Sequence, residues 1–277
     1  MIPDWETNRL FVSDRLEQEL PDLFSDLRSI FGSTLDVIPN TNDIWCRDFM
    51  PVQLDEHRFC QFEYRPGYLA GFDDLATPPD NCRLQFMEDC QHEGIVLDGG
   101  NVVASRTRVI LTEKIYKRNP AIERPRLRQR LEEIFEAECL IVPREPYDEV
   151  GHSDGVVRFI AENRILISDY AEVDPDYGVR LRRSLEQAEL EIETLPLFCE
   201  DKTGPDGVPS AVGNYVNFLR VGNTVALPAY NRREDELALQ TLVNALPEAD
   251  VRPVPCRSLA ERGGVLHCIS WTIRTPL

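Results

Sequence analysis

Gly151-His152-Ser153-Asp154-Gly155-Val156-Val157-Arg158-Phe159, continued beyond Glu162-Asn163 by Ile165-Leu166-Ile167, is the stretch that decides how this chain folds. A polar segment with two ionisable side chains runs into an apolar, β-rich segment. A short polar turn follows, and then a second β-rich run. This is the pattern of a hairpin with a polar tip. His152 and Asp154 are two apart, so on an extended backbone they face the same way.

Outward from that stretch the same unit recurs. A helix over Arg124 to Glu138 precedes it, with Pro125 in its first turn and Leu127, Leu131, Ile134 and Phe135 on one face. Upstream, the pattern predicts a helix over Arg83 to Glu93, stopped by Gly94. It leads to Ile95-Val96-Leu97 and Asp98-Gly99-Gly100-Asn101, with Val109-Ile110-Leu111 as the second strand. Leu16 to Phe31 reads as a further helix, broken or restarted at Pro21, leading to a strand-like Ile44-Trp45-Cys46 and then Arg47-Asp48. Downstream, Leu181, Leu185, Ala188, Ile192 and Leu195 mark a fourth helix before a strand Asn214-Tyr215-Val216-Asn217-Phe218, with Val225-Ala226-Leu227 beyond Gly222-Asn223. The fifth helix, Glu234 to Leu246, leads to a strand Leu266-His267-Cys268-Ile269-Ser270-Trp271.

The polar residues at matching points are Asp48, Asp98, Asp154, Asn217 and Cys268, separated by 50, 56, 63 and 51 residues. A period near fifty, with one strand–helix unit in each, predicts a radial, propeller-like α/β array. An ordinary α/β sheet with helices of similar length is the alternative. In a radial array the five polar residues converge on one axis. The fifth unit reaches Leu277 too soon for its second strand, so Arg9-Leu10-Phe11-Val12 is expected to pair there and close the ring. The whole of 1–277 reads as a single domain.

The formal net charge of −18 repels phosphate, which argues against nucleic acid and anionic membrane as partners and favours small cations. No apolar run approaches a membrane span. Met1 to Glu6 has neither a basic start nor an apolar core, so a cytoplasmic protein is expected. Eight cysteines without close pairing then read as thiols. Cys82, Cys90 and His92 match no zinc spacing, and no phosphate-binding loop is present. No metal and no cofactor are expected. Two Gly/Pro-rich loops, Tyr64 to Asp80 and Glu200 to Gly213, read as lids or as plain surface loops.

Trp45-Cys46-Arg47-Asp48, Leu97-Asp98-Gly99-Gly100-Asn101, Gly151-His152-Ser153-Asp154, Tyr215-Val216-Asn217-Phe218 and Gly264-Val265-Leu266-His267-Cys268 stand in the order found in agmatine deiminases and bacterial peptidylarginine deiminases. From about residue 40 to the end the chain resembles this guanidine-modifying superfamily. The resemblance implies a five-bladed, pseudo-symmetric α/β propeller, the pentein fold. It makes Cys268 the nucleophile and His152 the acid/base, with Asp48 and Asp154 gripping a guanidinium beside Trp45. Asp98 and Asn217 are placed at the pocket as further substrate-binding candidates, and either could instead orient a partner. Two positions depart from the pattern. Asp98 stands where Glu is expected, and Phe49-Met50 stands where small residues are usual.

The chemistry fits these residue types. A guanidinium is planar, cationic and resonance-stabilised, and carboxylates accept its N–H groups bidentately. A thiolate then attacks its carbon, and an imidazole protonates the departing ammonia and activates water. The expected reaction is hydrolysis of a guanidino compound, agmatine first, to a ureido product through an amidino-cysteine. Deimination of free or peptidyl arginine, amidino transfer by the same site, and a non-catalytic binding propeller are the alternatives. A homo-oligomer is possible. His267, next to Cys268, is expected on the opposite strand face in a structural hydrogen bond. Arg65 or Arg106 would have to serve a substrate carboxylate.

Overall fold

Five three-stranded sheets build the molecule, and each repeats one connection. In the computed structural model, residues 1–276 are described apart from 70, 88, 89, 147, 149, 201, 202 and 204–207. The strands are β1 (Arg9–Ser13), β2 (Leu35–Ile38), β3 (Val52–Gln53), β4 (Phe59–Glu63), β5 (Cys90–Val96), β6 (Val103–Ala104), β7 (Arg108–Thr112), β8 (Glu138–Val142), β9 (Val157–Ala161), β10 (Arg164–Ser168), β11 (Glu191–Leu195), β12 (Leu219–Val221), β13 (Thr224–Ala229), β14 (Asp250–Pro255) and β15 (Trp271–Ile273). They form the sheets β15-β1-β2, β3-β4-β5, β6-β7-β8, β9-β10-β11 and β12-β13-β14. In every sheet the first strand pairs antiparallel with the middle one, and the middle one pairs parallel with the third. This is a five-bladed α/β propeller.

Each parallel pair needs a crossover, and helices supply four of the five. Pro21–Phe31 joins β1 to β2 and buries Leu23, Phe24, Leu27 and Phe31. Arg124–Phe135 buries Leu127, Leu131 and Phe135 before β8. Pro175–Glu186, capped by the Asp174 side chain on Tyr177 N, buries Tyr177, Leu181 and Leu185. Arg233–Ala245 buries Ala238, Leu242 and Ala245. In the second blade the crossover from Glu63 to Cys90 carries only 3₁₀ turns among its described residues.

Ring closure follows the expectation from the termini. β1 pairs antiparallel with β15, Arg9 opposite Ile273 and Phe11 opposite Trp271. The last strand thus completes the blade that the first strand began.

Four local expectations fail. No helix covers 83–93. Gln85–Met87 is a 3₁₀ turn, Glu88 and Asp89 lie outside the described residues, and Cys90–Val96 is β5, paired parallel with β4. The fourth helix ends at Glu186; Glu189 takes φ 55°, and Ile192 and Leu195 belong to β11. Ile44-Trp45-Cys46 is not a strand, since Cys46–Phe49 is a short helix. Neither Asn214–Phe218 nor Leu266–Ser270 is a strand; β12 begins at Leu219 and β15 at Trp271. These segments are buried where the blades converge, and burial there gives them a strand-like composition without strand pairing. Among the described residues no helix is long and apolar enough to cross a membrane.

Candidate active site

The five matching polar residues all precede the first strand of a blade. Asp48 lies in the helix Cys46–Phe49, ahead of β3. Asp98 opens the 3₁₀ turn Gly99–Asn101, ahead of β6. Asp154 lies in the 3₁₀ turn Ser153–Gly155, which follows His152 and precedes β9. Asn217 and Cys268 lie in the turns before β12 and β15. His152 and Asp154 therefore share a site through a helical turn, not through strand alternation.

Gly100 marks where the side chains meet. A Cβ there would lie 2.6 Å from His152 Nδ1, 2.7 Å from Asp48 Oδ1 and 3.3 Å from Asp154 Oδ2. Gly99 is needed for close approach as well, because a Cβ on it would lie 2.0 Å from the Arg47 carbonyl oxygen. The glycine pair thus admits neighbouring atoms, and neither member takes a positive φ.

Asp48 Oδ1 accepts the Gly100 N–H at 3.0 Å and lies 3.4 Å from His152 Nδ1. His152 Nε2 is 2.9 Å from Asp98 Oδ2. Cys268 Sγ lies 3.8 Å from Asp154 Oδ2 and 3.5 Å from Asn217 Oδ1. Asn217 also donates to the Asp154 carbonyl at 3.0 Å and accepts the His267 N–H at 3.0 Å. Its amide therefore ties three site segments together. Trp45 packs against Gly264, where a Cβ would lie 2.5 Å from Cζ3. Cys46, by contrast, turns its buried thiol to the Ile269 carbonyl at 3.1 Å, away from the reactive groups.

Two groups here were not anticipated. Lys114 Nζ lies 2.7 Å from Asp98 Oδ2 and 2.8 Å from His152 Nε2. Tyr68, from the first Gly/Pro-rich loop, donates its hydroxyl to Asp48 Oδ2 at 2.7 Å. Tyr64 backs it, 3.1 Å away between hydroxyls, and Phe49 packs edge-on to Tyr64. Phe49 thus supports the loop that reaches the site. His267 also departs from expectation: it lies in a turn, and its Nδ1 is 2.6 Å from Asp154 Oδ2.

Burial and neighbouring charge set the ionisation of these groups. Burial pulls His152 down, but Asp48 and Asp98 outweigh it and Lys114, leaving its pKa raised. Burial opposes ionisation of Asp98, yet its bonds and charge interactions with His152 and Lys114 hold its carboxyl below the usual range. Asp154 is pushed up to about 6, chiefly by burial, with Asp48 adding and His152, Arg158 and Arg47 opposing. Burial, Arg158 and Arg47 hold His267 well below the ordinary histidine value. It is a neutral ring donating Nδ1–H to Asp154. Burial, Asp154 and Asp48 keep the Cys268 thiol well above its ordinary value.

A cavity of about 350 Å³ opens on His152, Asp154, Asn217 and Cys268. Asp48 is absent from its lining, as Tyr68 covers it. Farther along, Glu145, Asp148 and Glu200 line the walls, and no Lys or Arg is among the described lining residues. Arg65 and Arg106 do not reach it; they pair with Glu63 and Glu6. Cys199, just ahead of the second Gly/Pro-rich loop, also lines it, while Gly204, Pro205 and Gly207 of that loop lie outside the described residues. All eight cysteines are free. Among the described residues no cluster of His, Cys, Asp and Glu could hold a metal; Cys82 and Cys90 are thiols, and His92 bonds Arg83 at 2.8 Å.

With this geometry in hand, comparison with known proteins adds three findings. Residues 2–273 match the Porphyromonas-type peptidyl-arginine deiminase family. Agmatine deiminases of Pseudomonas syringae and Pseudomonas putida are 28% and 27% identical to the chain, over 83% and 86% of it and 74% and 76% of their own lengths. The solved agmatine deiminase of Enterococcus faecalis superposes with a TM-score of 0.81 at 18% identity, covering 100% of this chain and 96% of that one.

Proposed function

Since the chain belongs to the Porphyromonas-type peptidyl-arginine deiminase family, we propose that it hydrolyses the guanidino group of agmatine, giving N-carbamoylputrescine and ammonia. The reading rests on one observation above others. Cys268, His152 and Asp154 face a cavity whose far walls carry carboxylates and, among the described residues, no cation. Such a cavity suits a substrate with a guanidinium at one end and an ammonium at the other. A substrate carboxylate would face Glu145 and Asp148, with no cation among the described lining residues to meet it, and Glu200 is already paired with Arg257 at 2.9 Å. The net charge of −18 also favours a dication, within the roughly 10 Å that salt screening permits.

In this reading Asp48 and Asp154 receive the guanidinium N–H groups, and Tyr68 gives up Asp48 Oδ2 to let the substrate in. Burial and the two carboxylates keep Cys268 protonated, and the cation placed between the carboxylates cancels their share. The thiol proton passes to His152, and Sγ forms a bond to the guanidinium carbon. The His152 imidazolium protonates one nitrogen, the C–N bond breaks, and ammonia leaves. A water then loses a proton to His152 as its oxygen attacks the amidino-cysteine. The C–S bond breaks, the ureido product departs and the thiol is restored. Asp98 holds the His152 ring, Asn217 fixes Cys268 relative to Asp154, and Trp45 walls the site.

Eight free thiols suit a reducing compartment, which supports a cytoplasmic location. The test is a screen of agmatine, arginine and an arginine-terminated peptide, scoring ammonia and ureido product together. Agmatine is expected to turn over fastest, and Cys268→Ala to abolish turnover. Faster turnover of arginine or of the peptide would overturn the substrate assignment. No ureido product from any of the three would overturn the hydrolase itself.

A further inference from the structure

One ring nitrogen of His152 has two partners of opposite charge. Nε2 lies 2.9 Å from Asp98 Oδ2 and 2.8 Å from Lys114 Nζ. Lys114 in turn binds the same Asp98 oxygen at 2.7 Å, and Asp98 Oδ1 is buried without a hydrogen bond. The three groups therefore form a closed triangle on one carboxylate oxygen. Lys114 opens the short helix Lys114–Arg118 directly after β7, and its side chain is 11% exposed. An ammonium held this far out of water, against a histidine in a reactive site, is not a solvated surface charge.

Nε2 offers either one N–H or one lone pair. As N–H it donates to Asp98, and Lys114 then stands beside it as a repelling cation if the ring is fully protonated. As a lone pair it accepts from Lys114, and the neutral ring must then carry its proton on Nδ1. Nδ1 is the nitrogen that faces Asp48 and Gly100. The two partners thus select two proton distributions of one ring.

We propose that Lys114 is a positioning residue whose ammonium, seated at Nε2, restrains the imidazolium form of His152 against the pull of Asp48 and Asp98, so that Nδ1 can both take up and give back a proton. Calling the Nδ1 side the reacting side rests on the deiminase reading; the restraint on the imidazolium does not. The charged groups facing the ring are Asp48 on the helix Cys46–Phe49, Asp98 before its 3₁₀ turn, Lys114, and Asp154 in the next turn. Among the described residues, Lys114 is the one cation whose nitrogen touches the ring. In the electrostatic balance at His152 it opposes both carboxylates. Its ammonium leaves the ring able to gain and to lose a proton near neutrality, the condition for a group that does both in one cycle.

The test reads the ring directly. ¹⁵N-histidine NMR of the full chain resolves four histidines, with His152 assigned by its loss in His152→Asn. Lys114→Met should raise the titration midpoint of His152 by about one pH unit. Lys114→Gln keeps a donor for Asp98 without the charge; it should raise the midpoint too, and it serves if the Met variant does not fold. Lys114→Arg should restore the parent midpoint. An unchanged or lowered midpoint in the charge-free variants overturns the inference. None of these signals needs turnover. A shifted midpoint in a protein that hydrolyses no guanidine would sink the deiminase reading and leave the role of Lys114 standing.

Discussion

His152 and His267 are both almost fully buried, and each lies within hydrogen-bond distance of a carboxylate, at 2.9 and 2.6 Å. Their ionisation runs in opposite directions. His152 is raised and His267 is held well below the ordinary value. The immediate partner cannot explain this, since it is an aspartate in both cases. The next charges out can. His152 faces a second carboxylate, Asp48, whereas His267 feels two guanidinium groups, Arg158 and Arg47. Burial alone would make both rings neutral; net neighbouring charge decides which of them titrates. The histidine adjacent to Cys268 in sequence is thus a fixed donor, and the distant one is suited to move protons.

The sharpest way to break this comparison is to replace each ring by Asn. His152→Asn removes a proton carrier, and kcat/KM for agmatine should fall by roughly 10²–10⁴. His267→Asn keeps an N–H donor for Asp154, and its loss should be on the order of tenfold. Equal losses would mean that His267 shares the proton chemistry.

A smaller effect is expected from the carboxylates that surround the rings. Asp48→Asn and Asp154→Asn should each lower kcat/KM about 10²-fold, by weakening the grip on the guanidinium in the transition state. The wild-type profile should carry an acid limb near pH 6. Asp154 is pushed up to about 6, so it is ionised and able to bind a cation above that pH, and protonated below it. Activity should therefore fall as pH drops through 6. Asp154→Asn should erase that limb. Its persistence would assign the limb to another group and weaken the view that Asp154 is held poised between His267 and the cavity.

What the chain revealed in advance follows the same division between repeated and non-repeated features. The five convergent residues were legible because each unit places one polar residue before a blade, so the period near fifty survives drift in sequence. The local structure around them was not. Ile44 to Cys46, Tyr215 to Phe218 and Leu266 to Ile269 are apolar because they are buried near the axis, which mimics a strand. The expected helix at 83–93 failed because pairing of β5 with β4, thirty residues away, outweighs local spacing. Asp98, placed at the pocket as a substrate ligand or as a residue that orients a partner, bonds His152, and nothing near Lys114 in sequence marks it, since its partners are 16 residues before it and 38 after it. Tyr68 was hidden in the same way: a loop read from Gly and Pro content gives no hint of which side chain it lowers onto Asp48.

The smallest expected effect lies at the other end of the cavity, where Glu145 extends the comparison from rings to carboxylates. Burial is the main cause that pushes Glu145 up to about 7; Asp148 and Asp174 add to it, while the Tyr170 hydroxyl, bonded at 2.9 Å, and Arg144 oppose. Here, as at Asp154, burial opposes the charge of a carboxylate and a bound cation would favour it. If the substrate ammonium docks there, it binds the ionised form. KM for agmatine should therefore fall as pH rises through about 7, with kcat little changed, because this contact is equally present before and during reaction. Glu145→Gln should raise KM roughly fivefold above pH 7 and make it nearly flat with pH, consistent with losing one charge-assisted hydrogen bond. A guanidine lacking the distal amine, such as butylguanidine, should show neither the pH dependence nor sensitivity to the substitution. If butylguanidine responds to Glu145→Gln as agmatine does, the residue shapes the cavity without meeting the ammonium, and the tail must be held by Asp148 or Glu200 instead.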